Sequence, residues 1–170
     1  MSNNYEGSVA WVFPDHYDVD LIIGIQNIRE KDIDKIVPFC MSMYEPDFLD
    51  KVKPGDIFVA GRNFGYGHAH PQAMATVRKV GVNVVLAESF APGFFRAEIG
   101  NGMALLTVPG IAGAVQRFDR LLVEFDKGVV RNMTQESTII GKPPSPMVLS
   151  LVESKGYRKF LLDELERMSL

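Results

Sequence analysis

The run Gly61-Arg62-Asn63-Phe64-Gly65-Tyr66-Gly67-His68-Ala69-His70-Pro71-Gln72 gathers the residues of this chain best suited to chemistry. Three glycines in seven residues let the backbone turn sharply and come close to a ligand. Two histidines follow where a helix is expected to start, and imidazole exchanges protons near neutral pH. A helix start also points free N–H groups outward and favours anions. Loop, histidines and helix mouth together indicate a site for a small anionic molecule.

Regular elements must hold that loop. Asp56–Ala60 reads as the strand before it and Pro71–Val80 as the helix after it, with proline suited to the first turn and Gly81 to the end. Val82–Ala87 is a nearly unbroken apolar strand, Pro92–Ile99 a helix stopped by Gly100-Asn101-Gly102, and Met103–Val108 a further strand. Strand, helix, strand, helix, strand is the order of a parallel α/β unit. Before it come a strand, Ser8–Phe13, a turn at 14–18, a short apolar segment, Asp20–Ile25, and helices over Lys31–Met43 and Glu45–Val52. After it come a helix over Pro109–Gln116 and a hairpin, Arg120–Phe125 with Gly128–Asn132. A strand at Thr138–Gly141 and amphipathic helices over Met147–Lys155 and Tyr157–Met168 complete the chain. One domain over residues 1–170 is expected, with β elements at both ends and an α/β middle.

Composition narrows the function. The 170 residues suffice for one core, and 18 Lys plus Arg against 21 Asp plus Glu give a charge of −3 without a basic run. That argues against a nucleic-acid partner. The single cysteine, Cys40, can neither close an internal disulfide nor hold a metal centre by itself, and reads as a small buried residue. A third histidine, His16, lies in the first turn, but no metal ligand is expected from His16, His68 and His70. The polar start Met1–Glu6 and the lack of a bilayer-length apolar run make a cytoplasmic protein the expectation.

At the glycine loop the chain resembles a known family, the small subunits of isopropylmalate isomerase and homoaconitase, equivalent to the swivel domain of aconitase. Their loop reads roughly Gly-x-Asn-Phe-Gly-x-Gly-Ser-Ser-Arg-Glu-His-Ala, and Gly61, Asn63, Phe64, Gly65, Gly67 and Ala73 match it. Asp18–Ile23, Glu45–Phe48, Pro54–Gly61, and Glu88–Ala91 with Phe94–Arg96 and Asn101-Gly102 match flanking blocks in the same order. A lone glycine loop is a weak signal; ordered blocks spanning about residues 8–155 are a strong one.

The resemblance implies a three-layer β/β/α swivelling domain of the α/β class. It implies a reversible dehydration and hydration of a hydroxy di- or tricarboxylic acid. It implies a large partner subunit that carries a [4Fe–4S] cluster, with no cofactor bound by this chain, and places the reaction in leucine biosynthesis. In the family the first serine of the loop is the base and the arginine clamps a substrate carboxylate. Here His68 stands at the serine and His70 at the arginine, with Ala69 between them and Pro71-Gln72 after. Histidine is a competent base, but it cannot make arginine's two parallel hydrogen bonds to a carboxylate.

The expected site is therefore His68 and His70 for catalysis, His68 replacing the serine. Asp20, Arg29, Asn63, Gly65, Gly67, Ala69 and Ser89 are expected around the substrate, with no metal ligand. Asp18 and Asp20 match the family's Asp-Thr-Asp and otherwise serve as turn caps. Arg29 falls in the family's substrate-choosing loop. Ser89 follows a strand end, where α/β sheets bind ligands, and otherwise caps the next helix. Two other readings compete: a non-catalytic partner or binding subunit, and a hydratase that works without iron.

Overall fold

The computed structural model describes residues 4–168. In chain order its elements are β1 (Asn4–Phe13), α1 (Ile33–Ile36), α2 (Phe48–Lys51), β2 (Ile57–Ala60), α3 (Pro71–Val80), β3 (Val84–Ala87), α4 (Pro92–Gly100), β4 (Ala104–Thr107), α5 (Ile111–Ala114), β5 (Arg120–Glu124), β6 (Val129–Asn132), β7 (Ser137–Ile140), α6 (Pro146–Glu153) and α7 (Tyr157–Met168).

The strands form one sheet in the order β4-β3-β2-β1-β5-β6-β7. β1, β2, β3 and β4 pair parallel, while β1–β5, β5–β6 and β6–β7 pair antiparallel. The long β1 serves both halves. Its first part, Asn4–Ser8, pairs with β5; its second part, Val9–Phe13, pairs with β2 after a register shift between Val9 and Trp11. The bulge lets one strand leave one ladder and enter another.

The parallel α/β unit lies where the sequence places it. β2 and β3 are buried at every residue, as expected of parallel strands covered on both faces. α3 runs over the expected residues. Pro71 fits its first turn, and Gly81, at φ 102°, takes the left-handed conformation at its end. There the Gly81 N–H donates to the Arg78 carbonyl and the Val82 N–H to the Val77 carbonyl. Ala73, Met74, Thr76 and Val77 form its buried face. Phe13, Phe58 and Phe64 pack ring against ring beneath the glycine loop. Each such burial contributes about 1.5–3 kcal/mol.

Several expected helices are shorter. Of Lys31–Met43 only α1 is α-helical; Val37–Phe39 is a 3₁₀ turn, because Pro38 cannot donate to the helical ladder. Asp20–Ile25 is replaced by two 3₁₀ turns, Val19–Ile22 and Ile25–Asn27, parted by Gly24 at φ 77°. Glu45–Val52 contracts to α2 and Pro109–Gln116 to α5. β1 begins at Asn4 rather than Ser8, since β5 supplies a partner that the local pattern does not reveal. No helix is long and apolar enough to cross a membrane, among the described residues.

Candidate functional site

The glycine loop leaves the carboxyl end of β2 and is pinned on both sides. The Gly61 N–H donates to the Phe13 carbonyl and the Gly65 N–H to the Tyr17 carbonyl, at 3.0 and 3.1 Å. On the far side the Phe64 N–H donates to the Ser89 carbonyl and the Ala91 N–H to the Phe64 carbonyl. The Asn63 N–H donates to the Ser89 hydroxyl at 2.8 Å. The loop is thus stitched between the ends of β1 and β3. Gly65 has φ 81°, and a Cβ there would lie 2.2 Å from Phe94 Cγ, so only glycine fits against that ring.

Past the loop a cleft of about 320 Å³ opens between the start of α3 and the length of α4, from Ala91 to Asn101. Gly65, Gly67, His68, Ala69 and His70 form one wall. Met74, Ala91, Phe94 and Ala97 supply an apolar wall, and Glu98 and Asn101 bring polar groups. Five of the nine expected site residues therefore meet at one cavity. The other four lie outside its lining.

Asp20 stands behind His70. The His70 backbone N–H donates to Asp20 Oδ1 at 2.9 Å, and its ring Nδ1 lies 2.7 Å from Asp20 Oδ2. Both Asp20 oxygens are taken by His70, and 5% of the residue is exposed. Asp18 caps the 3₁₀ turn by accepting from the Asp20 N–H at 3.0 Å. Asn63 and Ser89 hold the loop, and the Asn63 side chain contacts His16 Nδ1 at 3.0 Å. That use of His16, together with Asp20 on His70, spends histidine nitrogens on loop structure. Arg29 is exposed after the second 3₁₀ turn, and Arg96 is exposed on α4. His68 is exposed, with its ring edge-on to His70 at 5.3 Å.

The sequence reading missed Glu98. It is 4% exposed, and Arg78 of α3 donates to its Oε2 while Asn101 Nδ2 donates to Oε1 at 3.3 Å. The ion pair fastens α3 to α4 beside the cleft. Nothing in the local pattern separates Glu98 from a solvated helix residue, since its partner lies 20 positions away.

Among the described residues no three His, Cys, Asp or Glu side chains converge as a metal site. Burial pushes the Cys40 thiol up to about 12, which opposes the thiolate form that binds metal.

Comparison with known proteins bears on this architecture. The Aconitase C-terminal domain family matches residues 25–110. The isopropylmalate/citramalate isomerase small subunit of Methanocaldococcus jannaschii is 32% identical over 152 residues, covering 89% of this chain and 90% of that protein. The 3-isopropylmalate dehydratase small subunit of Pyrobaculum calidifontis is 37% identical, covering 89% and 94%. The crystal structure of 3-isopropylmalate dehydratase from Methanocaldococcus jannaschii superposes with a TM-score of 0.87 at 27% identity, covering 98% of both chains. The fold is thus that of the swivelling domain, as the sequence blocks imply. With its loop on the strand end and its matches running the length of these proteins, the chain belongs to the aconitase C-terminal domain family, alongside the 3-isopropylmalate dehydratase small subunits.

Proposed function

We propose that the chain is the small subunit of a two-chain, aconitase-type hydro-lyase that reversibly removes water from a hydroxy dicarboxylic acid. The observation that carries this reading is the cleft itself, where the family loop brings Gly65, Gly67, His68, Ala69 and His70 to one cavity. An imidazole of the His68–His70 pair moves the carbon-bound proton, His68 standing at the serine position and His70 at the arginine position. The backbone at Gly67 and Ala69 and the start of α3 receive a carboxylate. Arg29 is the candidate for a distal carboxylate.

The wall of Met74, Ala91, Phe94 and Ala97 supports a substrate with a branched alkyl arm, the class named by the 3-isopropylmalate relatives. A [4Fe–4S] cluster, which one buried cysteine cannot hold, belongs to the partner and would polarise the leaving hydroxyl. This chain positions substrate, shapes the cavity and holds the proton. Histidine in place of serine at position 68 and of arginine at position 70 favours one second reading, a non-catalytic partner subunit.

The test is anaerobic reconstitution with the large subunit, followed by a screen of hydroxy acids for dehydration. Turnover of an alkyl-substituted malate by the complex, and by neither chain alone, is the expected result. A cluster-loaded complex that turns over equally well with a His68→Ala, His70→Ala double variant would establish the non-catalytic reading. Turnover that survives chelation and cluster loss would establish an iron-independent hydratase.

A further inference from the structure

The two histidines at the cleft are held very differently. Asp20 grips His70 at the backbone N–H and at ring Nδ1, while His68 presents its ring to solvent. Asp20 is itself fixed, since its own N–H donates to Asp18 Oδ1 in the first turn of the 3₁₀ segment Val19–Ile22. A carboxylate only accepts hydrogen bonds, so the proton shared at 2.7 Å must reside on His70 Nδ1. The neutral ring then carries no hydrogen on Nε2, the nitrogen left for the cleft that His70 lines.

We infer that Asp20 is a positioning residue that locks His70 in its Nδ1–H tautomer, and that His70 Nε2, rather than His68, is the proton acceptor of the cleft. The inference rests on the hydro-lyase reading and moves the base from the serine position to the arginine position. In the step it describes, a C–H bond next to the carbinol carbon breaks and its proton goes to His70 Nε2. The released electron pair forms the C=C bond, and the C–O bond breaks with the hydroxyl leaving as hydroxide. That hydroxide and the proton on His70 together make up the water lost. His68, edge-on at 5.3 Å, and Glu98, neutralised by Arg78, are the other titratable groups lining the cavity. Neither is gripped by a carboxylate as His70 is by Asp20. A preset tautomer costs no reorganisation at the moment of transfer, and a positioned base contributes about 10²–10⁴-fold.

Two measurements test this. The chain has three histidines, so ¹⁵N-histidine labelling of the full chain gives three ring systems. At a pH where the rings are neutral, His70 is expected in the Nδ1–H form, converting to Nε2–H in Asp20→Asn, whose amide donates where the carboxylate accepted. A wild-type His70 in the Nε2–H form overturns the inference, whatever the activity. In the reconstituted complex, Asp20→Asn and His70→Ala are each expected to lower kcat about 100-fold. Their double variant should lose little more, Asp20→Asn should leave KM nearly unchanged, and His68→Ala should cost less than about tenfold. Unchanged kcat in Asp20→Asn, or a greater loss in His68→Ala than in His70→Ala, defeats the assignment. A cluster-loaded wild-type complex without turnover overturns the hydro-lyase reading and with it the proton-acceptor role, while the tautomer, read separately, still decides whether Asp20 sets the ring. If Asp20→Asn does not fold, the wild-type spectrum and the two histidine variants still decide.

Discussion

The parallel and antiparallel halves of the sheet share β1, and past β7 the chain touches β4 again, where the Lys142 N–H donates to the Thr107 carbonyl. β2 and β3 are buried along their whole length, whereas β5 and β6 alternate between core and solvent and β7 is mostly exposed. The candidate site belongs to the first half alone. Parallel strands must be joined by crossover helices, so each strand end is followed by a helix start, and two such starts, α3 and α4, flank the cleft. Antiparallel strands are joined by tight turns, here Phe125–Lys127 with Gly128 at φ 67°, which leave no helix mouth. The difference teaches that connection type, more than strand content, decides which half can hold a ligand.

Three variants would break or sharpen that division. Gly65→Ala should have the largest effect. The new Cβ meets Phe94, and φ 81° disfavours any side chain, so a stability loss of about 3 kcal/mol or more is expected in urea unfolding, with loss of turnover per folded molecule. Retained turnover would show that the loop's fit against α4 is dispensable.

Asp119 is the counterpart in the antiparallel half. It is 6% exposed and accepts from the Gln116 N–H, Asn132 Nδ2 and Gln135 Nε2. Asp119→Ala orphans these donors and should cost about 2–3 kcal/mol, while turnover per folded molecule stays at wild type. Altered turnover would mean that the halves communicate through β1.

The smallest effect concerns the seam. Arg117 donates to the Ala10 carbonyl of β1 at the bulge, lies over the Trp11 ring at 4.4 Å, and pairs with Glu45. Hydrogen bonds from Arg117, and then from Lys51, hold the Glu45 carboxyl at about 2. A folded value below the unfolded one adds stability that is complete above the unfolded value and disappears as pH falls toward the folded one. Thermal unfolding of the wild type should therefore weaken between pH 4.5 and about 2 more steeply than that of Glu45→Gln. Identical acid limbs would remove the seam from the list of acid-sensitive contacts.

How far the sequence discloses these features depends on range. α3 is readable to the residue because Pro71 and Gly81 mark its ends with chemistry of their own. The parallel unit is readable because strands covered on both faces are continuous apolar runs. The helix expected over Lys31–Met43 misleads because Ile33, Ile36, Val37 and Cys40 keep helical spacing while Pro38 interrupts the ladder. At the site, Gly65, Gly67, His68, Ala69 and His70 are legible because they fall within one stretch of six residues. The tie between Asp20 and His70 spans 50 residues and that between Arg78 and Glu98 spans 20, so neither leaves a local pattern. Asn63 and Ser89 stand near the site as expected, yet the bond between them serves the loop.

The grip of Asp20 on position 70 also has a consequence for descent. A buried carboxylate needs a donor opposite it at every stage of divergence. Arginine, which the family pattern carries at that place, and histidine, which this chain carries, both meet that need, so the exchange could occur in one lineage without an unfolded intermediate. The contact predicts that positions 20 and 70 change together: in related chains an acid at the first should accompany a donor at the second, and chains that lack one should lack the other.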